Sequence, residues 1–433
     1  MRYVFTLLGA ILLMNSQQQL PGDLPNNSIF GKNVYVFDES MCAADIQSVL
    51  DHVHEQHAGK EFIDERVALL FKPGTYHNKV TVDYYVQALG LGRSPDDVVV
   101  HGAVQSTWSR PDNKVTIQFW RGAENFKVYP DASDRWMLWA VSQAAPLRRL
   151  HILGDVNFDK GSWASGGVLA NSIVTGRAGL TSGQQWFTRN SEIGYWEGGA
   201  WNRVFVGVKG APEPDWPATP TTVVEKAPIL RDKPFLFLTG EDEYAVFVPE
   251  LQRETCGVTW KAGDEKGNII PIEDFHIAHA DEDDAESMNQ ALARGRHLLL
   301  TPGIYYLDEA VTVENPNTVI LGIGLPTLVP THGNMALKTS AEAGVIIAGI
   351  MVDAGLKESD VLVQIGDRGS SRGHGDNPTS LHDIYIRVGG ALAGTAKTCL
   401  EINTNHVIGD HFWLWRADHG TGADWNINRS EHG

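Results

Sequence analysis

The chain repeats itself. The string Ala68-Leu69-Leu70-Phe71-Lys72-Pro73-Gly74-Thr75-Tyr76 is answered by Leu298-Leu299-Leu300-Thr301-Pro302-Gly303-Ile304-Tyr305, and Leu89-Gly90-Leu91-Gly92 by Leu321-Gly322-Ile323-Gly324. The Pro-Gly pairs lie 229 residues apart and the Gly-x-Gly pairs 232. Two landmarks at nearly one offset point to duplicated modules. Each copy opens with an amphipathic stretch: Ile46, Val49, Leu50 and Val53 in the first, and Met288, Ala291 and Leu292 in the second, stopped by Arg294-Gly295. The acidic run Asp281 to Asp284 reads as a solvated helix start whose charges suit the N-terminal dipole.

After each opening helix, short β-rich strings recur. They include Val98 to Val100, Leu147 to Ile152, Gly167 to Val174, Gln185 to Thr188 and Val204 to Val208. The second set is Val319 to Leu321, Val345 to Ile350, Val361 to Ile365, Ile384 to Val388 and Val407 to Trp415. Many gaps equal one solenoid coil plus loop insertions. The order of helix, strand, Pro-Gly turn and strand resembles the N-terminal cap of pectin-lyase-like β-helices, where the helix covers the open end of the solenoid. The fold expected is therefore all-β, two tandem right-handed parallel β-helices, each with an N-terminal capping helix. A β-sandwich ranks below it, because a sandwich does not explain the capped repeat. The modules fall at 27–210 and 276–433. Between them, 211–275 is a Pro-rich connector with a hairpin from Phe235 to Val248 that turns near Gly240 and packs between the modules. The second module shows only about five recognisable rungs and no terminal cap, so it is expected to be incomplete.

Composition narrows the partners. The net charge of −18 excludes nucleic acid, which needs a basic footprint, and favours a neutral glycan over an anionic one. Met1-Arg2-Tyr3 followed by an apolar run from Val4 to Met14 is the pattern of a secretory signal peptide, assigned to residues 1–18. Secretion follows, with no membrane span elsewhere and a monomeric state. Cys42, Cys256 and Cys399 have neither metal-like nor redox spacing and are expected as buried free thiols.

Four strings carry a resemblance. These are Trp139-Ala140-Val141-Ser142-Gln143-Ala144-Ala145-Pro146-Leu147, Ser165-Gly166-Gly167-Val168-Leu169, Gly183-Gln184-Gln185-Trp186-Phe187-Thr188-Arg189-Asn190, and Trp413-Leu414-Trp415-Arg416-Ala417-Asp418-His419. In order and spacing they resemble glycoside hydrolase family 55, the β-1,3-glucanases, or a sister family, over much of 65–210 and 285–425. The resemblance implies metal-free, cofactor-free hydrolysis of β-1,3-glucan with inversion. It places Gln143 and Ser165 beside the attacking water. Both side chains donate and accept hydrogen bonds, which suits that task, and inversion needs room for a water opposite the leaving oxygen. It also implies a general acid in a Ser-Glu-His-like stretch of the second module. Glu431 in Ser430-Glu431-His432 is the candidate, although it follows the Trp string by less than one coil, which fits an acid located beyond the chain end.

Trp196 and Trp201, flanking Gly198-Gly199 in a loop, are expected as sugar platforms, with Trp139 and Trp413 in the core. Arg416, Asp418 and His419 form a candidate substrate-binding cluster; strand alternation would put Arg416 and Asp418 on one face. Asp383 and Asp410 are a second polar pair, and Asp353 reads as a turn residue. A non-catalytic glycan-binding or adhesion β-helix is the alternative reading. A polysaccharide lyase, which would want a calcium site of clustered carboxylates with an Arg base or a basic groove, is the third. Gly373-His374-Gly375-Asp376 is similar to the Gly-His-Gly of polygalacturonases, but the Asn-x-Asp and Asp-Asp partners expected upstream are absent.

Overall fold

The computed structural model describes residues 29–423 except 108–114, 132–135, 160, 219, 262 and 264. The signal-like segment 1–18 and Glu431 lie outside the described residues. Among the described residues, two α-helices stand beside thirty-two strands, so the chain is all-β. A fifteen-stranded sheet takes in strands from Val34–Phe37 to Thr221–Val224. Eight- and four-stranded sheets build the C-terminal half, from Phe275–Ala278 to Val407–Arg416. Pairing within all three is parallel.

One register row shows how the N-terminal half is built. Tyr35, Leu69, Ala88, Ala123, Leu147, Leu169, Thr188, Phe205 and Val223 are successive partners, one from each coil. Most of this row is apolar, and Leu69, Ala88, Ala123, Leu147, Leu169 and Phe205 belong to one buried core. Strands covered on both faces lose the polar alternation of a half-exposed sheet. Thr379–Val388 and Ile346–Asp353 are buried at every position.

The helices form where the apolar spacing placed them. The first, α1 (Ala43–His57), buries Ile46, Val49, Leu50 and Val53 against the N-terminal core. The second, α2 (Ala285–Ala293), starts at Asp284. The Asp284 carboxylate accepts from the Ser287 amide at 2.9 Å, while Ser287 Oγ accepts from the Asp284 amide at 3.2 Å. Such a reciprocal cap satisfies two otherwise orphaned donors. The helix ends at Arg294, before Gly295 at φ +80°.

Two facing rows join the halves. Val36, Leu70, Leu89, Glu124, Arg148, Ala170 and Arg189 are register neighbours in the first half. Ile277, Leu299, Leu321, Ala348, His382 and Asp410 are register neighbours in the second. Both rows begin apolar and turn ionic in step. At the apolar end, Leu70 and Leu89 share a core with Leu299, Leu321 and Ala348. Leu236, Tyr244 and Val246 of the antiparallel hairpin Phe235–Gly240 and Glu243–Pro249 belong to the same core. At the ionic end, Arg148 contacts Asp383 and Asp410, Arg189 contacts Asp410 and Asp232, and Lys233 contacts Glu124 and Asp383. An aromatic cluster lies alongside, in which Trp120 sits 5.4 Å from Trp413 and 5.7 Å from Trp415, ring centre to ring centre.

Each half also carries a row of left-handed bends. In the first these are Asn125, Arg149, Asn171, Asn190 and Gly207, with φ between 44° and 68°. Consecutive bends are hydrogen-bonded, with Asn171 N donating to Arg189 O at 3.1 Å and Asn190 N to Val206 O at 2.9 Å. In the second half the row is Gly349, Asp383 and His411. Glycine adopts this conformation freely, and asparagine, aspartate and histidine enter it more readily than other side chains, which pay about 1–3 kcal/mol for it.

Two expectations are corrected here. Cys42 and Cys256 are exposed and Cys399 is half-buried, all as free thiols, so packing does not hide them as a group. Asp353 is not a turn residue. It ends the buried strand Ile346–Asp353, where Arg387 Nε and Nη2 both donate to its carboxylate at 2.6 Å.

Candidate active site

Trp139 organises the first wall of the site. Its ring is buried and its Nε1 donates to Ala145 O at 3.1 Å, closing the bend at Ala144, φ +57°. Gln143 immediately precedes that bend. One coil on, Ser165 is fixed from both sides: its amide donates to Ser142 Oγ at 3.0 Å, and Ser142 Oγ in turn donates to Val115 O at 2.6 Å. The two candidate side chains meet. Ser165 Oγ donates to Gln143 Oε1 at 2.6 Å, and Gln143 Nε2 donates to Ser165 O at 3.2 Å. One amide hydrogen and one carbonyl lone pair remain on Gln143 for a water or a hydroxyl.

Gln143 opens on a cleft of about 240 Å³, walled by Gly166, Gln185, Trp186 and Asn202 from the first half and by His411 and Phe412 from the second. Gln185 and Asn202 are direct register partners, so amides line one wall coil after coil. Gly167 is required here, because a Cβ on it would come within 2.1 Å of the Trp186 ring. Among the described residues lining the cleft there is no carboxylate. An uncharged wall of amides suits the hydroxyls of a neutral sugar and a water held between them.

The opposite wall was not foreseen. His411 Nδ1 lies 2.7 Å from Asp383 Oδ1 and 3.3 Å from Tyr385 Oη. Asp383 is itself clamped by Arg148, Nη2 to Oδ1 at 2.7 Å and Nε to Oδ2 at 2.9 Å. Burial alone would raise the Asp383 carboxyl. Arg148 and Lys233 outweigh it and hold that carboxyl well below its usual range. Asp410 behaves alike, with Arg148 and Arg189 overcoming its burial. Asp383 and Asp410 were visible in sequence as a polar pair, but the basic partners were not. Nothing in Leu147-Arg148-Arg149 marks a contact to a residue 235 positions away.

The remaining predicted residues divide. Trp201 is 73% exposed and available to a ligand. Trp196 is not a platform on a loop: both tryptophans lie on the strand Glu192–Val206, and Trp196 packs against Phe158, Trp186 and Phe205. Strand alternation carries the chain only to Arg416, where the strand ends, so Arg416 and Asp418 are not strand neighbours. Arg416 Nη2 donates to Lys397 O at 2.8 Å, and Asp418 Oδ1 lies 2.6 Å from His419 Nδ1. His419 Nε2 reaches across to Glu61 Oε1 at 2.6 Å, on the loop after α1. The Glu61 hydrogen bond, with Asp418 adding to it, lifts the His419 imidazole to about 9. None of Trp201, Arg416, Asp418 and His419 lines the cleft at Gln143.

Comparison with known proteins locates the chain. A family model described as the LAM55 pectate lyase-like domain matches residues 275–433. An exo-β-1,3-glucanase of Streptomyces sp. (strain SirexAA-E / ActE) is 44% identical over 407 residues, 93% of this chain. The chain spans 66% of that protein's length, just under two thirds. The solved structure of sacteLam55A from Streptomyces sp. SirexAA-E shares 43% identity at a TM-score of 0.88, over 92% of this chain and 72% of that one. A variant of the same protein in complex with glucose matches at 42% identity and a TM-score of 0.88, over 94% and 73% of the two chains. Among the described residues no helix is long and apolar enough to cross a membrane.

Proposed function

The chain belongs to the LAM55 family, the glycoside hydrolase family 55 type of β-1,3-glucanase, and from that premise we propose that it hydrolyses β-1,3-glucan with inversion in the cleft between its halves. The observation that carries this reading is the reciprocal Gln143–Ser165 pair at the cleft wall. Ser165 orients the Gln143 amide, and the amide's free hydrogen and remaining lone pair hold a water against the anomeric carbon. As that water bonds to the anomeric carbon, the bond to the leaving sugar oxygen breaks; a carboxylic acid on the far side protonates the leaving oxygen, and the attacking water gives up its own proton to solvent. Glu431 is retained as the candidate acid. Trp201 offers its exposed ring to a glucosyl face outside the cleft.

On the same reading the two parallel halves are tandem right-handed β-helices, with α1 and α2 capping their starts. Support comes from the one-residue-per-coil register rows and from the buried faces of both helices. We also propose that the protein is exported, on the strength of the apolar run from Val4 to Met14.

A glycan-binding role without catalysis is favoured by one observation, the lack of a carboxylate among the described cleft residues. Reducing-sugar release from laminarin, run beside calorimetric binding of laminari-oligosaccharides, separates the two. Release that is lost in Q143A supports the hydrolase. Binding without release supports the lectin-like reading, and neither would refute both.

A further inference from the structure

His411 stands at a stacked bend where the first half uses mostly asparagine and glycine. Where bends stack in the first half, the left-handed positions carry Asn125, Asn171, Asn190 and Gly207, with Arg149 the exception. The second half opens its row with Gly349, which is equally suited, and then places Asp383 at φ +51° and His411 at φ +72°. A left-handed residue other than glycine is uncommon, though histidine, like asparagine and aspartate, is one of the side chains that enter this region more readily. Such positions cluster where a site demands a particular side chain. The site is present. His411 lines the cleft opposite Gln143, so the unusual residue faces the candidate chemistry.

The ring is also aimed. Asp383, kept ionised by Arg148, can only accept, so the proton between it and His411 belongs on Nδ1. In the neutral ring Nε2 then carries the lone pair. It has no hydrogen-bond partner among the described residues, and it is not among their buried polar atoms that lack one. An oriented acceptor therefore looks into a cleft otherwise walled by amides.

We propose that His411 contacts substrate directly, its Nε2 accepting a hydrogen bond from a hydroxyl of a neutral glucosyl unit, with Asp383 as the positioning residue that keeps the proton on Nδ1. This rests on the glucan reading above and adds a recognition residue contributed by the second half. An acceptor at this point selects a free hydroxyl and rejects the same sugar when that oxygen is alkylated or absent, because the nitrogen would be left desolvated and unpaired.

His411→Asn is the informative variant. Asparagine suits the left-handed bend and can keep a donor toward Asp383, but it lacks an atom at the Nε2 position. The expected result is an unchanged or higher melting temperature with laminaritriose binding weakened about five- to tenfold. In the intact protein with ¹⁵N-labelled histidine, laminaritriose should shift one Nε2 resonance, and that resonance should be missing in H411N. Should H411N fail to fold, the wild-type resonance alone decides. Equal binding by wild type and H411N, or no histidine resonance moved by the sugar, overturns the assignment and leaves the glucan reading standing. Wild type that leaves laminaritriose unbound overturns both.

Discussion

Arg148 grips Asp383 with two prongs across 235 residues of sequence, both side chains almost wholly buried. Two charges taken out of water repay their desolvation only when geometry and further partners are good. Here the further partners are Asp410 on Arg148 and Lys233 on Asp383. The pair is therefore a joint between the halves whose value shows when one member is removed.

Arg148→Met should destabilise the protein by about 3–5 kcal/mol, since Asp383 and Asp410 would lose their shared cation in a buried setting. Equilibrium denaturation of wild type and variant gives the number. A change under about 1 kcal/mol would mean that Lys233 and Arg189 suffice.

The same carboxylates set the acid limit. Asp383 and Asp410 are held well below the ordinary value of 3.8, so their contribution is present above it and is lost only as pH falls through the lower folded-state values. Near-UV circular dichroism should keep its native form at pH 4 and lose it at stronger acidity. Loss of that signal between pH 5 and 4 would contradict the ion-pair account.

The link between His419 and Glu61 has the opposite sign. Its imidazole is raised from 6.5 to about 9, so the stabilisation is complete below pH 6.5 and disappears as pH rises through 9. His419 is 40% exposed, and solvent screening limits the worth of the link to about 0.5–1 kcal/mol. Glu61→Gln should lower the melting temperature at pH 6 and leave it unaltered at pH 10. Equal loss at both pH values would assign the effect to packing against Phe62 instead.

Ser165→Ala removes the hydroxyl that orients Gln143 while leaving the backbone bond to Ser142 Oγ intact. Laminarin hydrolysis should fall on the order of 10²-fold in kcat, with little change in KM, as expected when a nucleophile is misplaced rather than a ligand lost. A rise in KM alone would make Ser165 a binding residue.

Trp201→Ala and Trp196→Ala should separate. The first should weaken glucan binding by roughly 1 kcal/mol, about fivefold in Kd, at unchanged stability. The second should lower stability by opening the Phe158–Trp186–Phe205 cluster. Parallel effects in affinity pull-down and thermal melts would erase the distinction.

What could be read from the chain was whatever is local or repeated. The Pro-Gly and Gly-x-Gly offsets, the stripe Ile46, Val49, Leu50 and Val53, and the hairpin near Gly240 all leave marks within a few residues of themselves. Gln143 and Ser165 could be named because each stands in a recognisable string, and the structure brings them together. Arg148, Arg189 and Lys233 left no such mark: a buried arginine and a surface arginine look alike in sequence, and only the docking of the halves tells them apart. Arg416 and Asp418 misled because alternation assumes that the strand continues, and it stops at Arg416. His411 stayed hidden inside a strand pattern, since no sequence signal announces a left-handed bend at a histidine.

The aromatic cluster at the seam has a practical consequence. Trp120 comes from one half and Trp413 and Trp415 from the other, and their ring centres lie 5.4 to 5.7 Å apart. Indoles this close couple their electronic transitions and quench one another according to distance and tilt. The protein thus carries its own optical gauge, in which any loosening of the seam registers in tryptophan emission without a label.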